Sequence, residues 1–319
     1  MHNQVPQSSR LLKKIAPPPV FELGVLDHGW LKNQPPERLP YSSLATRDLG
    51  KVHAIDAWVK WLGDSHYRPI TEDYLHSAEV SREVYEDAVK DFRELFSSGL
   101  VDSLTGMDFR YSIDRLITSG LMRENALMPR AISQGDDLMI RQIASDIRSS
   151  SREILGEIYQ AYQLQIAKND TQKSAGDNDR ARSLIGAVNE INYLYMANYL
   201  SPESGVIVLP ASADEDYSGG KDAWCYVATH RENIRRFPIQ LKSSLSDENP
   251  EDRYADIQVI YTRSLYGSVN DTARRILQES PDKDDEQKLI NTSRLVQRNL
   301  RGLSPRGTTW PTNQPISVV

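Results

Sequence analysis

Two short segments, Asp222 to Ala228 and Arg236 to Ser243, read as strands in which every second residue is apolar, and no other stretch constrains the fold as tightly. Side chains on a strand point to opposite faces in turn. Ala223, Cys225, Val227, Phe237, Ile239 and Leu241 therefore share one face, and all are apolar; Asp222, Gln240 and Lys242 share the other. The polar connection His230-Arg231-Glu232-Asn233 joins the two segments. A symmetric hairpin centred on Glu232 sets Asp222 opposite Lys242 and Trp224 opposite Gln240. Because the apolar face must be buried, burial fixes the register and with it the position of the polar trio.

The surroundings predict more strands and a helix. Gly205 to Pro210 is a short apolar strand, and Asp256 to Thr262 alternates through Ile257, Val259 and Tyr261. Arg180 to Leu200 is helical, with Leu184, Ile185, Val188, Ile191, Leu194, Tyr195 and Ala197 as its stripe, and helices are expected at Val269 to Gln278 and Asp284 to Leu303. The N-terminal half reads as helices. Ile55, Trp58, Val59 and Leu62 mark the first. A second begins at a Thr71-Glu72-Asp73 cap, runs through Val80, Val84, Ala88, Phe92, Leu95 and Phe96, and stops at Gly99. A third covers Asp108 to Thr118. A long fourth covers Asp136 to Ala167, with Leu138, Ile140, Ile143, Ile147, Ile154, Ile158, Tyr162 and Leu164 in its stripe.

The fold class expected is α/β, a C-terminal mixed sheet flanked by helices and preceded by a mainly α-helical domain. Prolines at 17–19, 35, 36 and 40 make residues 1–50 an irregular arm. Residues 51–168 form the helical domain, the polar Gly/Ser/Asn/Asp-rich run 169–179 a linker, and residues 180–319 the second domain with a basic C-terminal helix.

Composition removes several functions. Lys and Arg number 38 against 44 Asp and Glu, a net charge of −6, so no global basic field attracts nucleic acid and any affinity must come from local patches. One Cys excludes a disulfide framework and a multi-Cys zinc site, and Cys225 reads as core. The six His show no HxxxH or HxH spacing, which argues against zinc. No GxxxxGK[ST] phosphate loop occurs, and Gly219-Gly220 suits a turn. With no apolar run of membrane length and no signal-peptide pattern near Met1, the expectation is a soluble cytoplasmic protein without membrane contact. Trp58 and Trp61 read as core.

The hairpin with its preceding helix resembles the PD-(D/E)xK nuclease superfamily, the restriction-endonuclease-like group, over residues 180–265. In that family an acid opens the second strand, Glu-x-Lys or Gln-x-Lys lies on the third, and a Glu often projects from the helix before the sheet. The resemblance implies Glu190, Asp222, Gln240 and Lys242 as catalytic residues. It implies a metal held by Glu190, Asp222, Gln240 and the Leu241 carbonyl: Mg²⁺, with Mn²⁺ as the substitute. Lys242 would orient the attacking water. Asp214, Glu215 and Asp216 lie just upstream, and Asp214 or Asp216 could serve in place of Asp222. Lys221 stands where the family has a Pro, and Leu245 to Ala255 leaves little room for its crossover helix. A second literal match, Asp282 with Glu286-Gln287-Lys288, has no room for a strand and turn; there Asp284 reads as a helix N-cap.

The activity implied is a metal-dependent nuclease, a DNA endonuclease of restriction or other defence type, with RNA left open and a homodimer as the expected assembly. Arg294, Arg298 and Arg301 recur on one helical face, and Arg231, Arg235 and Arg236 sit in and beside the hairpin connection, which is expected to flank the site; both sets are candidate phosphate contacts. The rival reading is a binding or scaffold protein that keeps such a fold without catalysis.

Overall fold

A computed structural model describes residues 43–64, 69–104, 106–169, 175–201, 203–212, 215–216, 220–230, 233–242, 257–303 and 310–311. The protein is α/β, mostly helical, with a small mixed sheet following the helices in the C-terminal part. No helix of the described residues is long and apolar enough to cross a membrane.

The helical part comprises α1 (Ser43–Gly63), α2 (Ile70–Ser97), α3 (Gly106–Gly120), α4 (Met122–Gln134), α5 (Asp137–Asn169) and α6 (Ala175–Asn198). α1 starts inside the segment expected to be an irregular arm; residues 1–42 lie outside the described residues. α2 begins directly after Pro69 with no side-chain cap. Asp73, expected at that cap, is instead buried in an ion pair with Arg130 of α4 at 2.7 Å. Gly99 ends the segment as expected, in the left-handed region at φ 74° that favours glycine. α4 was not expected, because Pro129 breaks its pattern; it nevertheless buries Met122, Leu127, Met128 and Ile132. Leu138 and Leu164, assigned to the buried stripe of α5, are exposed at 81 % and 55 %, while Leu155 and Ala161 are buried there.

Charge as well as apolar packing holds the first helices together. Arg115 of α3 is 3 % exposed and donates to Asp48 of α1 (2.9 Å) and to Asp87 and Asp91 of α2 (both 2.6 Å). Lys51 adds contacts to Asp87 and Asp91, which brings this buried group closer to neutrality.

The segment expected as a linker is helical from Ala175 onward. α5 and α6 pack along each other more extensively than any other pair of elements, and one continuous apolar cluster runs from Ile55 to Leu300. α6 is the central helix. It touches α3, α5, β1 (Val206–Pro210), α8 (Val269–Leu277) and α9 (Lys283–Leu303), so it buries polar residues beside its apolar stripe. Two of them find backbone partners: Asn198 brackets Val208 of β1 through both its amide and its carbonyl oxygen, and Asn192 donates to the Val269 carbonyl.

The sheet order is β1, β2 (Ala223–His230), β3 (Asn233–Lys242), β4 (Gln258–Tyr261). β1, β2 and β3 run antiparallel, and β4 is parallel to β3. A short β5 (Trp310–Pro311) pairs with β3 near the hairpin turn. A parallel pair needs a crossover; here it lies in residues 243–256, outside the described residues, as does any helix within it. A four-residue helix, α7 (Arg263–Tyr266), follows β4.

Candidate active site

The apolar face of the hairpin is buried as expected, with Ala223, Cys225 and Ile239 at 0 % exposure and Val227, Phe237 and Leu241 below 9 %. The Cys225 thiol is core, and its pKa is pushed well up by burial. The register differs from the expected one by two residues: Ala223 lies opposite Ile239 and Cys225 opposite Phe237. The turn is tighter than a symmetric loop about Glu232, since His230 already pairs with Asn233, and an irregularity between Ala228 and His230 absorbs the odd residue. A slip of two leaves every side chain on its face. It brings Asp222 level with Gln240 and leaves Lys242 one step further along.

Asp222 sits just before β2. Its N–H donates to the Ile239 carbonyl at 3.0 Å, and its carboxylate accepts the Leu241 N–H. The carboxylate thus pairs a β3 donor that β2 no longer reaches. The Leu241 carbonyl leaves the strand on the same side as its N–H.

α6 supplies the second acid. The Glu190 carboxyl is pushed well above the usual carboxylate range, first by burial and then by the charges of Asp222, Asp216 and Asp114, against which Arg110 acts. Asp222 is pushed up to about 6, chiefly by burial; the Leu241 N–H, Lys242 and Arg110 pull it down and Asp216 pushes it up. Asp216 is raised by burial in spite of its 2.7 Å ion pair with Arg110 and the nearby Lys242. Glu190, Asp222 and Lys242 therefore occupy one electrostatic neighbourhood.

A buried polar link sets this geometry. Thr262, at 0 % exposure, reaches the Asn189 side-chain oxygen at 2.6 Å with its hydroxyl and donates its N–H to the Lys242 carbonyl at 2.9 Å. The Tyr266 hydroxyl also binds Asn189. One threonine thus holds the residue before Glu190 and the backbone of Lys242 together.

Gln240 is 5 % exposed, and its Oε1 atom has no hydrogen-bond partner. A buried acceptor left unpaired costs about 1–3 kcal/mol. Among the described residues no three His, Cys, Asp or Glu side chains close into a metal cage. Mg²⁺ does not require one, since it uses one or two carboxylates beside neutral oxygens and retained waters. The donor set fits such an ion: two acids held up chiefly by burial, Glu190 further raised by the charge of Asp222, with an unpaired amide oxygen and a strand carbonyl.

Arg110 and Asp114 of α3 were invisible as site residues in the sequence. They are an Arg and an Asp four apart on a helix, the commonest surface pattern, and Arg110 precedes its partner Asp216 by 106 residues. Glu215 is occupied by Trp224 Nε1 at 3.0 Å and by the Ser212 N–H and hydroxyl; Asp214 lies outside the described residues.

The arginines lie further off. Arg236 pairs with Tyr226, four residues along β2 from Asp222, or about 14 Å at strand spacing. Its guanidinium lies 3.7 Å from the Trp224 ring centre. Arg235 is half-buried on the opposite face, and Arg231, in the turn, lies outside the described residues. The hairpin turn is thus at the far end of the strands and does not flank the acids. Arg294, Arg298 and Arg301 are exposed on α9, whose other face binds α6 through Ser293 and Gln297. Arg301 donates to the Ser204 carbonyl, beside the hairpin end of β1. Asp282 caps α9 by accepting the Asp285 N–H at 2.8 Å, so Asp282 takes the capping role expected of Asp284.

Comparison of the chain with protein-family models, with curated proteins and with solved structures gave no match.

Proposed function

We propose that this chain is a Mg²⁺-dependent phosphodiester hydrolase, a DNA endonuclease with a restriction-endonuclease-like C-terminal half that works in the cytoplasm as a homodimer. What supports the reading is the electrostatic contact of Glu190, on α6, with Asp222, just before β2, together with the pull of Lys242 on Asp222 and the unpaired buried oxygen of Gln240. The order of the described elements supports the reading in part: a helix, an antiparallel three-strand meander, then a strand parallel to the third, while the stretch in which the family has its crossover helix lies outside the described residues.

Asp222, Glu190, Gln240 Oε1 and the Leu241 carbonyl would hold the ion. Bound there, Mg²⁺ supplies polarisation of the phosphoryl oxygen and a more acidic water. Asp222 and Glu190 must both be ionised to do this; burial raises both pKa values and so opposes ionisation, and a bound cation would favour it. Lys242 positions the water and offsets charge gathering on the phosphoryl oxygens. Arg110 holds Asp216, so that acid supports the field of the site without being a ligand.

The test is supercoiled plasmid with Mg²⁺, with and without chelator, for the wild type, Asp222→Asn and Lys242→Ala. Chelator-sensitive nicking or linearisation by the wild type alone is expected. Undiminished cleavage by Lys242→Ala overturns the assignment. One observation favours a non-catalytic binding protein: Asp222 and Asp216 each already have a structural partner, the Leu241 N–H and Arg110. Failure to cut DNA or RNA would select that reading.

A further inference from the structure

A cavity of 410 Å³ opens between α1, α4 and the sheet face that carries Trp224, Tyr226 and Arg236. That volume lies in the range of small-molecule sites. Its sheet wall is rigid: Trp224 is fixed by its indole N–H to Glu215, Arg236 lies over the Trp224 ring, and Tyr226 is 4 % exposed. Residues lining it carry buried polar atoms without hydrogen-bond partners, among them the Arg236 Nε donor on the sheet and the Asn125 Oδ1 acceptor on α4. The cavity therefore offers a flat aromatic-guanidinium wall on the sheet, with polar residues, Arg236 and Asn125 among them, on facing sides.

We infer that this cavity receives an unpaired nucleobase of the strand whose phosphate lies at Glu190, Asp222 and Lys242. The choice of ligand class rests on the nuclease reading; the wall and the orphan atoms stand without it. A nucleobase is planar, stacks on aromatic and guanidinium surfaces, and carries donors and acceptors on one edge. Trp224 is two residues along β2 from Asp222, about 7 Å at strand spacing, within reach of a nucleotide held at the acids. A base enclosed between α4 and the sheet cannot remain in a duplex, so the substrate is single-stranded, or the nucleotide is turned out of its stack.

Binding of the four deoxynucleosides to the full chain in chelator, read by tryptophan fluorescence, tests the inference without requiring cleavage, and inorganic phosphate alone serves as the control. Saturable binding of at least one deoxynucleoside is expected, weakened about tenfold in Asn125→Ala, the loss of one hydrogen bond. Phosphate alone should leave the signal unchanged. Arg236→Gln, with thermal melts to show that both variants fold, should weaken binding as well. No deoxynucleoside binding, or binding that neither variant alters, overturns the inference. Plasmid cleavage without deoxynucleoside binding removes the base pocket and leaves the nuclease reading standing. Binding without any cleavage keeps the pocket and removes that reading.

Discussion

Asp222→Asn should stabilise the metal-free protein at neutral pH while abolishing cleavage. The carboxyl rises from 3.8 to about 6 on folding. Well below its unfolded pKa of 3.8 the acid is protonated in both folded and unfolded chains, and it contributes no penalty. As pH rises from 4 to 6 the unfolded chain gives up its proton first, so stability falls and continues to fall until the folded carboxyl also ionises. Each pKa unit is worth 1.36 kcal/mol, so the loss above pH 6 is roughly 3 kcal/mol, an upper figure that solvent screening reduces. Asn is isosteric, its oxygen can still accept the Leu241 N–H, and its amide can donate to neighbouring acids. A net gain of about 1–2 kcal/mol remains, or roughly 2–6 °C in melting temperature for a chain of this size. The assay is a pair of thermal melts in chelator, at pH 8 and at pH 4.5. The variant should melt higher at pH 8, and most of its advantage should disappear at pH 4.5. An equal or lower melting temperature at pH 8 would refute the electrostatic account of the site.

Glu190→Gln should repeat that pattern in chelator melts, since burial and three neighbouring acids also hold its carboxyl well up, and should abolish plasmid cleavage. Thr262→Val removes the hydroxyl that reaches Asn189; it should cost about 1–3 kcal/mol in denaturant unfolding and slow cleavage without touching the acids. Asp73→Ala leaves the buried Arg130 guanidinium without its carboxylate and should cost about 3–5 kcal/mol by the same unfolding measurement. At Gly120 an added Cβ would meet the Ile154 side chain at 2.6 Å and Tyr85 at 3.1 Å, so Gly120→Ala should lower stability by about 1–3 kcal/mol through overpacking where α3 approaches α5.

The hairpin faces were legible because period-two alternation survives any even shift of register, and that is why the two-residue error in pairing did not move Asp222 or Gln240 to the wrong side. The pairing itself depends on the turn, and nothing in His230-Arg231-Glu232-Asn233 announces a tight connection with an irregularity before it. α4 was hidden by Pro129. Leu138 and Leu164 misled because both sit at helical spacing from buried residues, yet their neighbours Met139 and Gln165 are the ones that turn inward, so the packed face of α5 lies one residue round from them. Glu190 could be found from its place in a helix ahead of the sheet. Arg110 and Asp114 could not, because only the packing of α3 against α6 brings them to the acids. Thr262 was likewise beyond reach: its role depends on where β4 ends beside Lys242.

Calorimetric titration of the protein with Mg²⁺ at pH 6, in two buffers of different ionisation enthalpy, asks directly whether Glu190, Asp222 and Gln240 share one cation. Binding should release protons, because acids held high in the metal-free protein must ionise to coordinate the ion. The release should shrink at pH 8 as Asp222 is by then already ionised, and Asp222→Asn and Gln240→Leu should each weaken binding at least tenfold. Absence of Mg²⁺ binding, or binding that neither exchanges protons nor responds to these substitutions, would contradict the account.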